Sequence, residues 1–192
     1  MAVRANGISA RAIPSDGDGA GLAGPAPCFL RSVAMETLER RIERLEALRA
    51  IDDLIADLGR AFDAGPSAAA LRELFVDDAA FLIDRYGELR GRDAIAEGVA
   101  GNADQGFRWT LHYLVSPKVA LADDRRSADI EFYLWEVATA ASGRAYWIGG
   151  RYVAEALADG PRWRFRQLEL KADLISHYPD GWSPKPAALA DA

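Results

Sequence analysis

One of the two histidines in the chain, His112, sits inside FRWTLHYLVS, residues 107–116, a run of aromatic, β-branched and aliphatic residues with the character of a buried strand. An imidazole in that setting needs a polar partner, because an unpaired polar ring away from water costs on the order of 1–3 kcal/mol. A carboxylate partner would fix the ring's tautomer and raise its basicity, giving a general base suited to neutral pH. The most suggestive carboxylate is Asp63, upstream in AFDAG. It closes an apolar helical stripe directly after Phe62, where a negative charge opposes the helix macrodipole instead of supporting it. Taken alone, His112 reads first as a hydrogen-bonded structural histidine, and Asp63 as a solvated surface residue.

The elements that must position the two residues follow from periodicity. Leu38, Ile42, Leu45, Leu48, Ile51, Ile55, Leu58 and Phe62 recur at spacings of three and four. They predict an N-terminal helix from Met35, or two shorter helices over the same span, ending near Gly65-Pro66. Ser67 can cap a second short helix, AAALRELF. VDDAAFLIDRYGELRG reads as two short strands about a turn at Tyr86-Gly87, and GRDAIAEGVAGNA as a third helix. Four longer strands are predicted at 106–120, 127–140, 145–157 and 162–174, joined by ADDRRS, Ser142-Gly143 and ADGP.

Helices followed by a strand meander indicate an α+β fold, with a cone-shaped, curved antiparallel sheet enclosed by the N-terminal helices. A pocket between helix and sheet is the natural small-molecule site. Strand alternation places Arg108, Thr110, His112 and Leu114 on one face, and Phe107, Trp109, Leu111, Tyr113 and Val115 on the other. Residues 1–34 are rich in Gly, Ala and Pro and read as a flexible tail; 35–175 read as one domain and 176–192 as a C-terminal tail.

Composition narrows the function. Half of the 192 residues are hydrophobic and 27% are charged, as in globular proteins, and no apolar run is long enough to suggest a transmembrane helix. A net charge of −6 argues against nucleic acid as a partner. Arg162-Trp163-Arg164-Phe165-Arg166 interleaves basic and aromatic residues, but a strand with one solvated face explains that pattern better. A single cysteine, Cys28, rules out an internal disulfide and fits a reducing, cytoplasmic compartment. Two distant histidines without a Cys/His cluster make no metal site, and neither a phosphate loop nor a GxSxG elbow occurs. His177, in LISHYPDGW, reads as a solvated loop histidine that could reach the pocket mouth if the tail folds back.

Several stretches together resemble a known family: ALRAIDDLIADLGRAFDAG, ALRELFVDDAAFLI, LHYLVSP and AYWIGGRYVAEALADGPRWRFRQLEL. Over residues 42–175 the chain resembles the SnoaL-like branch of the nuclear transport factor 2-like superfamily. The nearest group contains hexachlorocyclohexane dehydrochlorinase, scytalone dehydratase and bile acid 7α-dehydratase. The resemblance implies a cystatin-like α+β barrel and a catalytic dyad at Asp63 and His112. It further implies a pocket lined by Phe62, Phe81, Ile83, Phe107, Thr110, Tyr133, Trp135, Ile148 and Tyr152, with no metal or organic cofactor.

The group's known members form trimers, so a homo-oligomer, trimer or dimer, is expected. The chain departs from the group in having no Tyr between Met35 and Asp63 to serve a leaving hydroxyl. Tyr113, Tyr133 or Tyr152 could substitute from the sheet, and Arg151, Arg164 and Arg166 are the arginines nearest the position of a leaving-group arginine. The activity implied is a cofactor-independent lyase or isomerase on an apolar cyclic small molecule, with His112 as base. The alternative is a non-catalytic binding or subunit-interaction module, such as an oxygenase small β subunit.

Overall fold

A computed structural model describes residues 36–63, 65–84, 87–102, 106–160, 162–179 and 181. The expected tail at 1–34, with Cys28, lies outside the described residues, as do Tyr86 and all of 182–192. The element order is α1 (Leu38–Asp63), α2 (Ala68–Arg72), β1 (Phe75–Ile83), β2 (Gly87–Arg90), α3 (Arg92–Asn102), β3 (Phe107–Leu121), β4 (Ser127–Ala140), β5 (Ala145–Asp159) and β6 (Arg162–Tyr178).

The fold is α+β, as expected. The apolar stripe forms one continuous helix, α1, and its second half is the buried half: Ile51, Leu54, Ile55, Leu58 and Phe62 pack inward. The stripe's first members, Leu38, Ile42 and Leu45, are exposed. α1 ends at Asp63, and Gly65 follows at φ +79°, the left-handed conformation that favours glycine after a helix. The Ser67 hydroxyl caps α2 by accepting the Ala70 N–H at 3.1 Å.

The six strands form one curved, unclosed sheet in the order β2-β1-β6-β5-β4-β3. The meander β3 to β6 is antiparallel throughout; β1 adds a parallel pair beside β6, with β2 antiparallel outside it. β6 runs on to Tyr178, past the predicted end at 174, so its last turns of register pair with the start of β5. β3 is an edge strand, and its outer half is marked by a bulge between Val115 and Lys118 that holds Ser116 at φ 55° and Pro117. Proline and bulges are features of sheet edges, where a missing ladder bond costs least.

The concave face carries the core. On β4 it presents Ala128, Ile130, Phe132, Leu134, Glu136 and Ala138, all buried; on β5, Ile148 and Tyr152. Trp163 and Phe165 are core residues, while Arg162, Arg164 and Arg166, which alternate with them, pair with surface carboxylates. Gly150 of the IGGRY stretch is required by packing. A bulge between Gly149 and Gly150 brings the Lys171 carbonyl to within 2.2 Å of where a β-carbon would stand. α1 lies across the concave side of β3, so that Gly59 faces Leu114 and His112 at ordinary contact distance. That docking brings the end of the helix onto the strand that bears the imidazole.

Candidate active site

Asp63, the last residue of α1, receives four contacts from β3. Its two carboxylate oxygens accept the backbone N–H of His112 at 3.1 and 3.0 Å. The Thr110 hydroxyl donates to Oδ1 at 3.2 Å, with the Phe62 carbonyl as a longer alternative at 3.4 Å. His112 Nδ1 stands 2.7 Å from Oδ1. A carboxylate can only accept, so the hydrogen of the neutral ring resides on Nδ1, leaving the Nε2 lone pair directed away from the helix. The helix-opposing position of Asp63 therefore has its reason: the charge is held by donors from the sheet, not by its own helix.

The second ring nitrogen meets a residue that periodicity did not single out. Glu136 on β4 is directly opposite His112 in the ladder, and its Oε2 lies 3.3 Å from Nε2. Both side chains are buried. Burial pushes the Glu136 carboxyl above its ordinary range, the positive form of His112 opposes that shift, and the charge of Asp63 adds to it. Tyr152, stacked on Phe132 at 5.2 Å between ring centroids, is driven upward by burial and then by the charge of Glu136, which keeps its phenol protonated.

The sequence signal for Glu136 was a break in pattern. It is the one charged residue on a face of β4 that is otherwise Ala128, Ile130, Phe132, Leu134 and Ala138.

The structure brings most of the expected lining onto the same concave side. Phe62 lies 5.1 Å from the His112 ring and 6.4 Å from Phe81. Thr110 and Tyr152 face inward, and Ile148 is opposite Glu136 across the β4–β5 ladder. Ile83 is half-buried and packs against the core. Phe107 also faces inward, its ring 6.2 Å from Tyr146, because a bulge between Phe107 and Trp109 reverses the alternation expected there.

Tyr133 and Trp135 do not line this side. They alternate with Leu134 and Glu136, so they project from the outer face, 56% and 41% exposed. Tyr113 is exposed on that outer face too, which leaves Tyr152 as the inward member of the three tyrosines considered. The three arginines are engaged elsewhere: Arg151 with Asp173, Arg164 with Glu73 and Asp159, and Arg166 with Glu155. His177 is on β6 opposite Tyr146, exposed, with its ring 5.6 Å from the tyrosine.

Beyond Leu170, the last residue of β6 paired with β1, the inward residues Ala172 and Ile175 are only partly covered. They give the concave side an apolar approach. A separate groove of about 470 Å³, lined by Asp57, Arg60, Ser67 and Glu73 among others, contains none of the residues of the dyad. Asp63 and Glu136 occupy opposite nitrogens of one ring, so the three do not converge on a point. Among the described residues no group of His, Cys, Asp and Glu is arranged to hold a metal ion, and no helix is long and apolar enough to cross a membrane.

This architecture is that of nuclear transport factor 2-like proteins, and solved structures bear that out. A hexachlorocyclohexane dehydrochlorinase of type 2 superposes with a TM-score of 0.70 at 19% identity, over 77% of this chain and 99% of that one. A protein from Novosphingobium aromaticivorans provisionally assigned as a scytalone dehydratase gives 0.65 at 21% identity, over 72% and 91%. A nuclear transport factor 2-like superfamily protein from Salmonella enterica serovar Typhimurium gives 0.60 at 17% identity, over 72% and 99%. Within that fold the chain belongs to the SnoaL-like domain family, whose model matches residues 43–169. No curated protein matches it in sequence.

Proposed function

We propose that the protein is a cofactor-independent lyase, of dehydratase or dehydrohalogenase type, or an isomerase, acting on an apolar cyclic small molecule. The observation that carries this reading is the 2.7 Å contact between Asp63 Oδ1 and His112 Nδ1, part-buried on the concave side of the sheet. It orients the ring and leaves Nε2 to take a proton from carbon, with Asp63 stabilising the imidazolium that results. The leaving group then departs from the neighbouring carbon, or the proton returns at another carbon as an isomerisation. Phe62, Phe81 and Ile148 supply apolar walls of the kind a cyclic substrate needs. Two of the similar structures carry the names of elimination enzymes, a dehydrochlorinase and a dehydratase, which supports the same reaction class.

The reading includes a homo-oligomer, trimer or dimer, formed through the outer face, and a reducing cytoplasmic setting for Cys28. That outer face also favours a second reading, a non-catalytic subunit module whose task is to dock. The experiment that separates them is a panel of cyclic β-hydroxy and β-halo ketones, followed by the absorbance of the conjugated product. Turnover by the natural chain that is lost in a folded His112→Ala variant supports the lyase. Turnover that survives His112→Ala removes the dyad from the chemistry. Tight binding without any turnover favours the module.

A further inference from the structure

We propose that Glu136 is the acid of this site, so that the leaving group is a hydroxyl expelled as water and not a halide. The proposal deepens the elimination reading and rests on it.

Among the described residues Glu136 is the one charged side chain in the core, 6% exposed. A buried polar group is costly unless it is satisfied, and the group within reach of this carboxyl is the imidazole of His112, 3.3 Å away. The groups that face it come from three elements: Asp63 from α1, His112 from β3, and the buried phenol of Tyr152 from β5. None of these is a lysine or arginine.

Asp63 already claims the hydrogen on Nδ1, so a neutral ring turns a lone pair toward Glu136. Two lone pairs opposed at that distance repel; the contact becomes favourable when one proton sits between them. Burial, the largest influence, and the nearby negative charge of Asp63 favour keeping that proton on the carboxyl, against the opposing pull of a positive His112. The resting site thus holds a base and an acid side by side.

The proton balance then closes without any external reagent. On binding, the substrate's hydroxyl takes over the hydrogen bond from the Glu136 proton, and the Nε2 lone pair so freed takes the hydrogen from a carbon made acidic by a neighbouring carbonyl. Its bonding electrons form the carbon–carbon double bond as the carbon–oxygen bond of the adjacent carbon breaks. Glu136 delivers its proton to the departing oxygen, which leaves as water. What remains is an imidazolium beside a carboxylate, and passage of one proton from Nε2 to Oε2 restores the resting state.

Hydroxide is a poor leaving group that needs this proton, whereas chloride departs as a stable anion. An acid buried beside the base is of use to a dehydration and superfluous to a dehydrohalogenation. Because His112 and Glu136 are ladder partners on one face, hydrogen and hydroxyl would leave from the same side of the substrate.

The test uses the whole chain and a matched pair of probes, 5-phenyl-3-hydroxycyclohexanone and its 3-chloro counterpart. Glu136→Gln keeps the side chain's shape but removes the ionisable proton. The expected result is a loss of kcat/KM of at least about 100-fold on the hydroxy ketone, far larger than its loss on the chloro ketone. Equal losses on both probes would overturn the proposal. His112→Ala is expected to abolish elimination from both; if both persist, it is the base assignment that fails, independently of Glu136.

Difference infrared spectroscopy needs no substrate. At pH 7 the resting protein should show the carbonyl stretch of a buried, protonated carboxylic acid that is missing in Glu136→Gln. A natural protein without that band holds Glu136 ionised, and the acid assignment falls.

Discussion

The two faces of the β3–β4 ladder differ by one residue of alternation and by nearly everything else. Inward lie Thr110, His112 and Leu114 against Ala138, Glu136 and Leu134; outward lie Trp109, Leu111, Tyr113 and Val115 against Val137, Trp135 and Tyr133. The outward set is the more apolar and aromatic, and all of it but the half-buried Val137 is exposed. The inward set holds the polar side chains Thr110, His112 and Glu136, each tied to a partner. Hydrophobicity therefore does not mark the side to which we assign the chemistry. Satisfied polar contacts do, because a polar group is retained in a core only where something binds it. The exposed aromatic face is where the proposed homo-oligomer would form.

That contrast can be broken, and the largest effect should come from the inner face. His112→Ala is expected to lower turnover by at least about 100-fold, the scale of a lost general base, while sedimentation of the variant stays that of the natural chain. The mirror experiment targets the outer face: Tyr133→Glu with Trp135→Glu should shift sedimentation toward the monomer without unfolding. A monomeric natural chain, or a charged variant that assembles as before, would remove the contrast's second half.

Stability sharpens the same point at a smaller scale. Leu134→Ala, inside, should cost about 2–5 kcal/mol in urea denaturation. Leu111→Ala, outside, should change a dilute, unassembled sample by no more than about 0.5 kcal/mol. Asp63→Ala falls between, at roughly 1–3 kcal/mol, because it strands the His112 amide and ring and the Thr110 hydroxyl.

The smallest effect is in pH dependence. Glu136 in the folded protein holds its proton above the ordinary value of 4.5. Above that pH the unfolded chain has already released the proton that the native state retains, so the native state binds more protons and stability falls as pH rises. The loss runs from 4.5 up through the raised native value. Glu136→Gln should flatten that part of the profile, and an unchanged slope would show that Glu136 ionises as freely inside as out.

Much of this was readable beforehand, for reasons that can be named. The stripe of α1 and the alternation of β4 to β6 follow from burial of one face, which is why their order and type emerged from spacing alone. Asp63 and His112 emerged because each violates a local rule: a charge against a dipole, and an imidazole in an apolar strand. Glu136 violates a rule as well, but the pocket lining implied by the family resemblance, with Tyr133 and Trp135, took the other parity of β4. Alternation assigns residues to two sets without saying which set faces in, and a cluster of large aromatics suits an interface as well as a core. The parallel pairing of β1 with β6 depends on contacts remote in sequence and has no local signal. The bulge that turns Phe107 inward is likewise invisible to strict alternation.

The position of β3 at the end of the sheet has a further consequence. An edge strand offers its free N–H groups to any extended segment that drifts by, the first step toward strand addition and fibre growth. Asp63 occupies one such group, the amide of His112, from the tip of α1. The carboxylate that aims the imidazole is thus also a guard on an open ladder. Amide exchange at His112 reports whether the helix tip is seated, and a preparation of an Asp63 variant that clouds on standing would be failing as a sentinel before its chemistry was ever assayed.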